Sequence, residues 1–115
     1  MNIKIVDLAK HAICVASDDG HLVYKHFEAA LKNGEEITAD FAGVSTLTSA
    51  FLNAAIGQLY SQFKSDFIDR HVSVVNLDES DEVLLARVRE NAKIYFSDPD
   101  RYDASRRAVF GDIDE

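Results

Sequence analysis

The stretch "TADFAGVSTLTSAFLNAAIG", Thr38 to Gly57, decides how the chain is read. Ile37, Ala39 and Phe41 alternate onto one side, as in a strand with one buried face. The run closes on Asp40 and Gly43, and glycine marks the turn because it adopts backbone angles other residues avoid. Four hydroxyl residues follow in five positions, Ser45, Thr46, Thr48 and Ser49. Leu52, Ile56, Leu59, Tyr60 and Phe63 then recur at the spacing of one helix face. A second stripe on that helix is small: Ala50, Ala54, Gly57 and Ser61. Such a stripe lets a helix approach a neighbouring backbone. A mid-helix glycine costs about 1 kcal/mol against alanine, so the spacing predicts a packing reason at Gly57.

Ser49 falls at the tip of that helix, where four backbone N–H groups lack helical partners. Two readings stand. In one, Thr48 or Ser49 is a cap whose hydroxyl takes one of those N–H groups, worth about 1 kcal/mol. In the other, Ser49 is a regulated position, because a helix N-terminus favours added negative charge such as phosphate.

Upstream, "NIKIVDL" (Asn2–Leu8) alternates and reads as a strand. "AICVA" (Ala12–Ala16) reads as a second, short one. "SDDG" (Ser17–Gly20) reads as a turn rich in helix caps. Val23, Phe27, Ala30 and Leu31 then mark a helix face, with Asn33-Gly34 as its stop. Downstream, "HVSVVNL" (His71–Leu77) is β-branched and reads as a buried strand. "DESDEVLLARVRENAKIYF" reads as a helix capped by Ser80. Its acids come first and its bases later, the order the helix dipole favours. Asp98-Pro99 is read as its end. Strands alternating with helices predict one α/β domain, a small mixed sheet of about four strands with helices packed on it. Residues 1–97 form that domain, and residues 98–115 are read as a C-terminal tail with a short helix around Tyr102–Phe110.

The 115 residues suit one domain, at 47 % hydrophobic and 28 % charged. The net charge is −8. Residues 1–57 carry −3 and residues 58–115 carry −5, so acid is spread over both halves. Such a surface repels nucleic acid and anionic membranes, and suits a protein partner with a basic patch. No apolar run approaches the roughly 20 residues of a membrane span, and the N-terminus lacks a signal-peptide pattern. With the single cysteine, Cys14, this predicts a cytoplasmic protein.

With these residues in view, the segment Asp40–Gly57 resembles the STAS domain of sulphate transporters and anti-sigma factor antagonists. It is more closely similar to the STAS-like family of small uncharacterised bacterial proteins. Asp19-Gly20, Asp40-Phe41, Gly43-Val44 and Ser49-Ala50-Phe51 stand at that family's upstream turn, strand end and helix start. The resemblance spans roughly residues 14–97 in element order. It implies a sheet with helices on it and a non-catalytic protein–protein interaction role in bacterial signalling. The partner it implies is a histidine-kinase-like ATPase that phosphorylates the helix-tip serine, here Ser49, and is released by that phosphate. The contact set it implies is Ser45, Thr46, Thr48, Ser49 and Asn53, with docking through residues 44–60. Asp40 and Gly43 would shape the loop. Thr48 stands where the regulated proteins carry aspartate, and Phe51 where they often carry glycine.

Other chemistry has weaker support. Cys14 lies in an apolar run, where free cysteine acts as a small hydrophobe. His21 and His26 are five apart and do not stack as a metal-binding pair. The sequence lacks both G-x-x-x-x-G-K and G-x-G-x-x-G, so no standard nucleotide loop is expected, and no cofactor or metal is predicted. Two alternatives stay open. One is a small-ligand binder or enzyme using a strand-end crevice near Cys14, Asp40 and Ser73. The other is a structural homo-oligomer using an apolar patch on the Tyr95–Phe110 segment.

Overall fold

The structure, a computed structural model, describes residues 1–10 and 12–97, and the account below concerns these. Three strands, β1 (Asn2–Lys4), β3 (Ile37–Asp40) and β5 (Val72–Val75), form a parallel sheet in the order β1-β3-β5. Two shorter strands, β2 (Ile13–Cys14) and β4 (Thr46–Leu47), form a separate parallel pair. The α/β reading therefore holds, but the single mixed sheet of about four strands is replaced by two small parallel ones. The reason is connectivity. Helices lie between β1 and β3 and between β3 and β5, so each strand returns in the same direction as the last.

The register sorts the three-stranded sheet into two faces. Ile3, Ala39 and Val74 form one row, and Ile37, Phe41 and Val72 bury on the same side. Asn2, Thr38 and Ser73 form a row on the opposite face, with Lys4, Asp40 and Val75 beside it. That alternation is the period-2 signal of the sequence made physical.

Five helices occur among the described residues: α1 (Ile5–Ala9), α2 (Ser17–Lys32), α3 (Ser49–Ala55), α4 (Ser65–His71) and α5 (Glu79–Ser97). The expected strand Asn2–Leu8 stops at Lys4 and becomes α1. Ile5 and Ala9 bury together at i and i+4, and Lys10, at φ 71°, ends the turn. The "SDDG" segment is not a turn but the first turn of α2, with Asp18 and Asp19 at its positive end. At the other end of α2, the Gly34 N–H bonds to the Leu31 carbonyl (2.9 Å) and the Glu35 N–H to that of Ala30 (3.0 Å). This is a Schellman stop, and Gly34 supplies its left-handed residue at φ 74°.

Gly20 lies inside α2 because α3 crosses it there. A Cβ on Gly20 would sit 2.5 Å from the Phe51 carbonyl oxygen and 2.9 Å from Ala54 Cβ. The small stripe thus divides: Ala54 meets α2, while Gly57 faces Val88 and Ala92 of α5. The helix expected to run to Phe63 breaks at Ile56 into a 3-10 turn, Gly57–Ser61. Leu52, Ile56, Leu59 and Tyr60 are still buried, so the periodicity marked the right core positions on a different helix type. Leu85, Val88, Ala92 and Tyr95 seat α5 on this core. Arg89 joins it to the rest, donating to the Tyr60 hydroxyl (2.9 Å) and pairing with Asp69 (2.6 Å). Asp98-Pro99 and the expected tail helix lie outside the described residues.

Candidate functional site

The site grows from the end of β3. Asp40 is buried, and its Oδ1 accepts from the Ala42 N–H at 2.9 Å and from Asn76 Nδ2 at 2.8 Å. These donors, the Asn76 amide foremost and then the Ala42 N–H, hold the carboxyl below its ordinary pKa, with Lys4 adding to the effect. Asp40 therefore joins two strand ends, because Asn76 follows β5. The chain then turns. The Val44 N–H bonds back to the Phe41 carbonyl (3.1 Å) with Gly43 at φ 86°, the turn position that demands a left-handed residue.

The loop after Gly43 is stitched to β2. The Ser45 N–H donates to the Ala12 carbonyl (2.9 Å) and the Thr48 N–H to that of Cys14 (3.2 Å). Thr48 carries two duties through one oxygen. Its hydroxyl donates to the Val15 carbonyl (2.9 Å) and accepts the Phe51 N–H (3.3 Å). Thr48 is thus the cap of α3, and Ser49 is its first helical residue. The Ser49 side chain is half-buried and has no hydrogen-bond partner among the described residues. The first turn of α3 carries no acid, whereas α1, α2, α4 and α5 each carry at least one there.

Ser45 and Thr46 are exposed and stand with Ser49 at the tip. Asn53 does not join them. It is only 2 % exposed, and its Nδ2 lacks a partner among the described residues. It packs inward beside Gly57, so its expected place in the contact set is corrected: four residues remain. Residues 51–60 are largely buried too, which confines an accessible surface to the loop and the helix start. The structure adds two residues that sequence reasoning passed over. Ile13 is 53 % exposed and Val15 38 %, and both sit beside the loop on β2 or at its end. The signal was the alternation about buried Cys14.

Cys14 is fully buried, and burial, with nearby Asp19 second, pushes its thiol pKa up. A raised pKa disfavours the thiolate a nucleophile needs. His71 stacks on Phe67 and His21 on Tyr24, and neither ring contact involves Cys14. Asp40 and Ser73 share one face of the large sheet, and Cys14 belongs to the other sheet. Cavities of about 630, 560 and 230 Å³ are lined by other residues.

Fold and site define a small α/β domain whose parallel strand ends in a glycine turn braced by Asp40 and leads to a hydroxyl-capped helix. A family model matches residues 19–82, and the chain belongs to that family, the STAS-like domain of unknown function (DUF4325). No curated protein and no solved structure matches the chain. Among the described residues, no helix is long and apolar enough to cross a membrane.

Proposed function

We propose that this domain is a non-catalytic protein–protein interaction module of cytoplasmic signalling, docking through the loop Val44–Ser49. Ser45, Thr46 and Ser49 supply the polar contacts, and Ile13 and Val15 supply apolar area beside them. Ser49 is the regulated position and a histidine-kinase-like ATPase the partner, as the resemblance implies. The observation that carries this reading is the division of roles at the α3 tip. Thr48 is committed to the cap, while the next hydroxyl, on Ser49, has no structural duty. Phosphate there adds roughly −1.5 to −2 charges at a helix end without acids, so the fold tolerates it while the surface changes sharply.

The test is capture from lysate of the source organism with wild type, Ser49→Ala and Ser49→Asp as baits. The expected result is an ATPase of the kinase-like fold on wild type and Ser49→Ala, and its loss on Ser49→Asp. The same partner on all three baits would remove the regulatory role. No ATPase on any bait would count against the module itself.

A further inference from the structure

A hollow of about 630 Å³ lies between the 3-10 turn, the start of α4 and the last turn of α5. Tyr60, Phe63, Ile94 and Phe96 give it apolar walls. Phe63 and Phe96 are only partly buried, and Ile94 is 36 % exposed. Ile94 stands outside the stripe Leu85, Val88, Ala92 and Tyr95 that seats α5, so the core gives it no cover. Lys64, Lys93 and Asp66 make a rim of mixed charge.

The end of the described chain says what can fill this hollow. Ser97, its last residue, is itself part of the wall. Residues 98–115 therefore start at the hollow's edge. Pro99 lacks the N–H that a straight continuation of α5 would use. Beyond it, Tyr102, Val109, Phe110 and Ile113 recur at i, i+7, i+8 and i+11, the spacing of one helix face. The charges around that pattern are mixed like the rim's, with Arg106 and Arg107 before Phe110 and Asp112 and Asp114 after it. A tethered segment meets its site at an effective concentration on the order of mM, which favours it over any separate chain. We propose that residues 102–113 dock back onto their own domain here, with Val109 and Phe110 as the anchors that cover Ile94 and Phe63.

Paramagnetic broadening in the full-length chain tests this. Asp112→Cys carries a nitroxide in a 15N-labelled protein. Cys14 is fully buried, and wild type treated with the same reagent controls for it. The expected result is strong signal loss at the amides of residues 61–65 and 93–97, reversed when the nitroxide is reduced. The tether alone holds the label near the end of α5, so two further variants isolate the contact. Phe110→Asp removes the anchor, and Ile94→Glu spoils the wall at an exposed side chain. Each is expected to bring back the signals of residues 61–65. The rest of the spectrum should stay that of wild type, which reports an intact fold. Broadening that persists in both variants overturns the proposal, and so does broadening centred elsewhere on the domain. So does broadening of the same amides in a 15N chain without the label when it is mixed with labelled 14N chain, because the occupant is then a second copy.

Discussion

Two strand-to-helix connections of this molecule solve one problem with opposite chemistry. The first leads from β3 to α3 through Gly43 (φ 86°) and is capped by the neutral Thr48 hydroxyl. The second leads from β5 to α5 through Asn76 (φ 63°) and is capped by the Asp78 carboxylate, which accepts from the Asp81 N–H (2.9 Å) and the Ser80 hydroxyl (3.0 Å). Glu79, Asp81 and Glu82 add further negative charge there, and those bonds hold the Asp78 carboxyl below its ordinary pKa. The α5 end is already saturated with negative charge. The α3 end has none, so a group that adds charge changes it most. Asp40 ties the two together, since the Asn76 amide of one connection bonds the carboxylate that opens the other.

The largest expected effect comes from moving α3 alone. Gly20→Ala drives a methyl into the Phe51 carbonyl, and the helices must separate. Overpacking against backbone outweighs the helix propensity gained, and the expected loss is about 2 kcal/mol in urea denaturation. Hydrogen exchange should quicken over α3 and leave the first turn of α5 unchanged. Next in size is Thr48→Ala, at about 1 kcal/mol from the lost cap. That loss should be the same at low and high salt, because the hydroxyl is neutral. The loss in Asp78→Ala should shrink as salt screens its charge. Equal salt dependence would erase the contrast between the two ends.

The smallest effect concerns the tie itself. The Asp40 pKa is lowered in the fold, so its contribution is present above the unfolded value of about 3.9 and lost as pH falls through the lower folded value. The stability gap between wild type and Asp40→Asn should be full at neutral pH and close below about pH 4. A gap that widens in acid would contradict the hydrogen-bond assignment.

The contrast also shows what the sequence could carry. β3, β5 and α5 were legible because each repeats its pattern long enough to separate period 2 from period 3.6. Asn2–Ala9 was not, because Ile3, Ile5 and Ala9 satisfy both periods over so short a run. β4 was invisible for another reason. Thr46 and Leu47 form a strand only because Ile13 and Cys14 lie beside them, a tertiary cause. α4 buries Ile68 alone among its seven residues and leaves little pattern. Adjacent hydroxyls gave no ground for choosing Thr48 over Ser49 as cap, since either could reach an end N–H. Ser80 was expected to cap α5, but its hydroxyl bonds to Asp78, the residue that does. The burial of Asn53 was readable, because it shares a face with Ile56 and Tyr60.

The most direct test of the docking surface places a photo-crosslinking residue at Thr46 or at Glu79, exposed positions near the two helix starts, in cells of the source organism. The account predicts an adduct with the ATPase partner from Thr46, lost when Ser49→Asp is added, and none with that partner from Glu79. An adduct with that partner from Glu79 instead, or one from Thr46 indifferent to Ser49→Asp, would contradict it.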